Sequence, residues 1–140
     1  MRYMIIVKAN KDSEAGVMPS NEIIEAMGRF NEELIDAGVM VAGEGLHPSS
    51  KGARVKFEKG GFTVTDGPFS EAKELIAGFW IIDVKSKDEA IEWVKKIPGF
   101  EEGEEIEIRK VGEASDWQES GIDPALFEKD EELRRRVEKR

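Results

Sequence analysis

Four apolar strand-like runs, two amphipathic helical stripes and a short alternating hairpin follow one another in the order β-α-β, hairpin, β-α-β. This order predicts an α+β fold of the ferredoxin-like split βαβ type with an inserted β-hairpin. Helices in such a fold cover one face of the sheet. The strands also carry apolar residues on the other face, which a second copy would cover through a two-fold face-to-face dimer.

Arg2 to Ala9 reads as a strand with Tyr3, Ile5 and Val7 on one face and Met4 and Ile6 on the other. Both faces are apolar, as in a central strand. Ser20 and Asn21 are candidate N-caps, Glu22 and Glu25 suit the positive end of a helix, and Ile23, Met27, Phe30 and Leu34 form its apolar stripe up to Gly38. Val39 to Leu46 is the next strand. Gly43 and Gly45 inside it predict a bulge or a close backbone approach, as at a ligand or a partner.

Ala53, Val55 and Phe57 alternate with Arg54, Lys56 and Glu58, and Lys59-Gly60-Gly61 turns the chain back into Phe62 to Thr65. Gly78 to Lys85 is an apolar strand carrying Trp80. Ser86 to Glu89 has the form of a capping box ahead of a stripe of Ala90, Ile91, Val94 and Ile97, which Pro98-Gly99 stops. Glu105 to Val111 alternates Ile106 and Ile108 with Glu107 and Arg109 and reads as a strand wetted on one face.

Beyond Val111 the character changes. Asp123-Pro124 is an N-cap followed by proline at the first helical position, and Leu126, Phe127, Leu133 and Val137 make a narrow stripe on a helix dense in charge. The expected division is a domain over residues 1–112 and a helical extension over 113–140. That arm either lies across its own subunit or clasps a second one.

The 140 residues suit one domain with an appended element. Twenty-one Lys and Arg against 30 Asp and Glu leave a formal charge of -9, which disfavours nucleic acid and anionic membrane surfaces as partners. No cysteine is present, so disulfides, thiolate metal sites and cysteine nucleophiles are excluded together. The apolar run at residues 4–7 is too short for a signal peptide or a membrane span, and the expectation is a cytoplasmic protein.

The densest local signal is Asp66-Gly67-Pro68-Phe69-Ser70-Glu71-Ala72-Lys73-Glu74, a turn-forming, charged loop between two apolar runs. Gly67 is expected at positive φ or in close approach to other backbone, and the Asp66 carboxylate is expected to bond an amide two residues on. Glu71, Lys73 and Glu74 have the spacing of one helical turn.

This run resembles the signature DGPFAETKE of the DGPF family of YCII-related bacterial proteins, agreeing at seven of nine positions. The resemblance extends through Met1 to Met4, Gly43 to Pro48, Gly78 to Val84 and Ile106 to Arg109, covering residues 1–112. It implies a dimeric α/β barrel. Some YCII-like relatives carry a histidine in the first helix and an aspartate before the last strand, proposed as an acid-base pair. Here Met27 and Ile97 stand near those positions, so the pair is absent. Within the signature, Ser70 replaces Ala and Ala72 replaces Thr.

The chemistry-bearing candidates are therefore His47 and the signature loop. His47, the single histidine, is a candidate general base or ligand contact, or else a turn residue ahead of Pro48. Asp66, as a candidate catalytic carboxylate, could pair with Glu71 and Glu74 to split acid and base roles, and Glu71, Lys73 and Glu74 are candidate ligand contacts; otherwise Asp66 caps the turn and Lys73 forms local salt bridges. Phe69 either plugs a core or dimer seam or contacts a ligand. Tyr3 and Trp80 are core residues or the apolar wall of a small-molecule pocket.

Neither a cofactor nor a metal ion is called for. No GxGxxG, Walker motif, G-x-S-x-G or Glu-x-x-His pattern occurs. The function expected is that of a homodimer binding a small organic molecule. The alternatives are a cofactor-free acid-base enzyme acting on a small organic substrate and a regulatory interaction module using the acidic arm.

Overall fold

A computed structural model describes residues 1–117 and 119–139; the side chain of Lys73 lies outside the description, and with it that residue's expected ligand or salt-bridge role. The chain divides into two compact units, Met1–Lys110 and Val111–Arg140.

The first unit is built on an antiparallel four-stranded sheet of β1 (Arg2–Lys8), β2 (Met40–Gly45), β5 (Ile76–Asp83) and β6 (Ile106–Lys110), in the order β2-β5-β1-β6. This is the ferredoxin-like arrangement, with β1 central between β5 and β6. Helices α2 (Asn21–Asp36) and α3 (Lys87–Val94) supply the layer above it. The α2 stripe places Phe30 and Leu34 in one core with Tyr3, Ile5, Trp80, Ile82 and Ala90. Ile5, Leu34 and Ile82 are at most 2% exposed, and each such side chain contributes roughly 1.5–3 kcal/mol through burial.

Local sequence sets the ends of these helices. The Ser20 hydroxyl accepts from the Ile23 amide at 3.2 Å, and Gly38 at φ +72° follows the end of α2. Ser86 accepts from the Glu89 amide at 3.1 Å while Glu89 accepts from the Lys85 amide at 2.8 Å. The regular helix α3 stops at Val94, three residues short of the apolar stripe, yet Ile97 still packs against the core.

Two features depart from the expected pattern. A short helix α1 (Lys11–Glu14) precedes α2, closed by a reciprocal box in which Ser13 N–H donates to Asn10 Oδ1 at 2.8 Å and Asn10 N–H to Ser13 Oγ at 2.9 Å. The irregularity in β2 falls between Met40 and Ala42, ahead of the glycines where a bulge was expected.

The inserted hairpin of β3 (Ala53–Glu58) and β4 (Gly61–Asp66) forms a separate two-stranded sheet. Val55 faces Val64 and Phe57 faces Phe62, with the two rings edge to face at 5.2 Å. All four are more than half exposed.

In the second unit a 3₁₀ turn over Ala114–Trp117 precedes α4 (Pro124–Glu138). Asp123 caps α4 through the Ala125 amide at 3.0 Å, and Arg134–Asp130 and Arg136–Glu132 pairs run along its surface. Phe127 turns toward Ala114, lining a hollow within the unit, while Leu126, Leu133 and Val137 stay exposed. No helix among the described residues is long and apolar enough to cross a membrane.

Candidate functional site

The signature loop is held by its neighbours. Gly67 N–H donates to Gly52 O at 3.0 Å, and Phe69 N–H donates to Ser49 Oγ at 3.0 Å. Ser49 is itself pinned by Glu14, whose carboxylate accepts from the Ser49 amide at 2.9 Å and from its hydroxyl. The expected Asp66 bond to an amide two residues on has no donor, because that residue is Pro68. Gly67 is not at positive φ; it meets the second expectation, since a Cβ there would fall 1.8 Å from Ser49 O. The Gly67–Pro68 peptide is cis.

Phe69 is half-buried beneath the Arg54 guanidinium, which lies 3.9 Å from its ring centroid and ties the loop to the hairpin. Glu71 and Glu74 are exposed around the 3₁₀ turn Ala72–Glu74. Asp66 is exposed at the end of β4, opposite Ala53. His47 is exposed in the segment leading to the 3₁₀ turn Ser49–Lys51. Tyr3 is 5% exposed in the core, and its hydroxyl reaches Met1 Sδ at 3.8 Å.

Of the residues singled out from sequence, Trp80 lines a cleft at the edge of the sheet. This cleft, about 350 Å³, lies where α2 crosses the ends of β2 and β5. Its open side lies over Gly45, where the helix-facing side of the sheet carries no side chain. Gly43 sits opposite Trp80 and Gly45 opposite Gly78, so three glycines cluster in the two paired strands. A Cβ on Gly43 would meet Trp80 Cδ1 at 2.8 Å, which places Gly43 on the Trp80 side of the sheet; alternation then puts Gly45 on the same side, where a Cβ would meet open space.

Val7, Pro19, Met27 and Trp80 supply apolar walls. Asn31 supplies the polar group: the indole Nε1–H of Trp80 donates to its Oδ1 at 2.8 Å. Phe30 packs edge to face on Trp80 at 5.6 Å and fixes the ring from behind. Glu44 also borders the cleft, but alternation along β2 sends its side chain to the opposite face of the sheet, beside Phe79.

Among the described side chains, neither His47, Asp66 nor the other signature-loop residues line this cleft. Met27, at the position where the resemblance implies a histidine in relatives, does line it, and Ile97 packs against the core instead. Asn31 was not evident from sequence. Its signal was its place four residues after Met27 and three before Leu34, a polar residue inside an apolar stripe. Among the described residues no three His, Cys, Asp or Glu side chains gather as a metal set.

Comparison with known proteins gives three results. An uncharacterized protein of Rhizobium meliloti (strain 1021) is 29% identical over 75 residues, 54% of this chain and 60% of that protein. A solved structure of 5-chloro-2-hydroxyhydroquinone dehydrochlorinase from Burkholderia phenoliruptrix AC1100, in complex with 2,5-dihydroxybenzoquinone, superposes with a TM-score of 0.45 at 16% identity, covering 83% of this chain and 98% of that one. The YCII-related domain matches residues 1–115, spanning the whole ferredoxin-like unit with its inserted hairpin, and the chain therefore belongs to the YCII-related domain family.

Proposed function

We propose that this protein is a cytoplasmic homodimer that binds a small organic molecule in the cleft between α2 and the β2–β5 edge of the sheet. The observation that carries this reading is the cleft over Gly45, where a Cβ would meet nothing within 4 Å, beside a fixed Trp80 and a half-buried Asn31. Gly43 and Gly78 make room for Met40, Trp80 and the Glu44 backbone, whereas the space over Gly45 forfeits contacts that a larger side chain would make. A cleft of about 350 Å³ suits a small ligand.

The dimer is supported by apolar surface on two elements. Met4, Phe79 and Ile81 are half-buried on the sheet face opposite the helices, by alternation with Tyr3, Trp80 and Ile82, and Ile6 on that face is already buried at 7% exposure. The hairpin adds Val55, Phe57, Phe62 and Val64, exposed by 53%, 79%, 68% and 64%. The chain's lack of cysteine accords with a reducing compartment.

The test is a fragment titration followed through the Trp80 indole N–H resonance, with Trp93 and Trp117 as internal controls, in the native protein and in Gly45→Val. Valine suits an edge strand and its Cβ meets open space, so the variant should fold and fill the cleft. Fragments should shift Trp80 in the native protein and fail to do so in the variant. Equal binding to both contradicts the cleft assignment. Sedimentation at micromolar concentration should give twice the chain mass; a monomer contradicts the dimer.

A further inference from the structure

We infer that the cleft takes an uncharged, single-ring molecule that presents a hydrogen-bond acceptor, a carbonyl above all, to the carboxamide nitrogen of Asn31. This inference rests on the cleft being the binding site and adds the chemical class of its occupant.

The orientation of the Asn31 amide follows from chemistry. An indole N–H can only donate, so the atom 2.8 Å from Trp80 Nε1 must be the Asn31 oxygen. The carboxamide is thereby turned with its NH₂ away from Trp80. That group has two donors and no acceptor capacity, and Asn31 is half-buried at the cleft wall. An occupant that places an acceptor there satisfies it; one that places a donor there leaves two donors facing each other.

Charge is excluded on both signs. Among the described residues the cleft lining holds no cation that would accompany a carboxylate or phosphate, and the chain's net -9 repels anions at long range. Glu44 is the one ionisable residue bordering the cleft among the described residues, and its side chain faces the opposite side of the sheet, so a cationic ligand would also be desolvated without a counter-ion.

Size follows from the open side and the walls. Gly45 on β2 leaves open space on one side, where a Cβ would meet nothing within 4 Å, and Met27 and Asn31 of α2 and Trp80 of β5 line the rest. At about 350 Å³ the slot accommodates one ring with a short substituent.

The test uses acetophenone as a neutral acceptor, aniline as a neutral donor and benzoate as an anionic acceptor, each titrated against the Trp80 indole resonance. The native protein should bind acetophenone about tenfold tighter than either competitor. Asn31→Asp keeps an oxygen for Trp80 but replaces the NH₂ by a second oxygen, and should reverse the preference to aniline over acetophenone. Gly45→Val should abolish binding of all three.

Acetophenone affinity within twofold in Asn31→Asp, or benzoate binding as tightly as acetophenone, overturns the ligand class while leaving the cleft assignment intact. Probes that bind native protein and Gly45→Val alike overturn the cleft assignment, and the ligand class with it. Failure of all three to bind overturns both. The ranking on the native protein decides the ligand class even if Asn31→Asp does not fold.

Discussion

Gly67 approaches Ser49 so closely that a Cβ on the glycine would sit 1.8 Å from the serine carbonyl oxygen. The contact is backbone against backbone, so no side-chain rotation relieves it. Gly67→Ala must separate the signature loop from the Ser49–Lys51 turn, breaking the Gly67 to Gly52 bond of 3.0 Å as it does so. The expected loss is about 2 kcal/mol or more in urea unfolding. An unchanged midpoint would show that the two loops are not packed in this way.

Glu14 and Ser49 should act on the loop as one unit. Ser49→Ala strips the Phe69 amide of its acceptor and the Glu14 carboxylate of a donor, at an expected cost of roughly 1–3 kcal/mol. Glu14→Ala removes the acceptor of both the Ser49 amide and its hydroxyl. The double variant should therefore be less destabilised than the sum of the two, with a coupling of roughly 0.5–3 kcal/mol in a double-mutant cycle. Simple additivity would separate the two residues.

Gly43→Ala probes the wall of the cleft. Its new methyl would lie 2.7 Å from Met40 Cε and 2.8 Å from Trp80 Cδ1. The methionine end can move aside, but the indole is fixed by Phe30 and by Asn31. The ring must shift, so the Trp80 indole resonance should move and the bond to Asn31 should lengthen or break, at roughly 1–3 kcal/mol. A Trp80 signal identical to that of the native protein would place Gly43 away from the indole.

Glu107 carries the clearest electrostatic signature on the sheet. A hydrogen bond from Lys8, at 3.2 Å, and a second from Arg109, at 3.3 Å, hold its carboxyl below the ordinary 4.5. Because the folded value is the depressed one, the stabilisation is present above the ordinary carboxylate range and is lost as pH falls through the folded value. A carbon-detected titration should give a Glu107 midpoint below 4.5, and Lys8→Met should raise it more than Arg109→Met does. A midpoint indifferent to Lys8 would mean that the pair does not persist in solution.

The sheet and its two main helices were legible because their signals are periodic and local. Ile23, Met27, Phe30 and Leu34 mark α2 by spacing alone, and Ser20 and Ser86 mark helix starts by their own hydroxyls. Helix α1 was not legible, since four residues held by an Asn10–Ser13 box carry no apolar stripe. The site was legible only in part. Gly43 and Gly45 announced a close approach, and Trp80 a possible wall. Asn31 acquires its meaning from an indole 49 residues away, a relation no local pattern contains. The signature loop drew attention through its charges, yet its anchors, Glu14 and Ser49, lie outside it and are joined to it by the fold.

The most direct measurement is a crystal structure of the native protein soaked with acetophenone. Density should appear between Trp80 and Gly45, with the carbonyl oxygen within hydrogen-bonding distance of Asn31 Nδ2. Density against His47, Asp66 or the signature loop, with the cleft beside Trp80 empty, would contradict the cleft as the binding site.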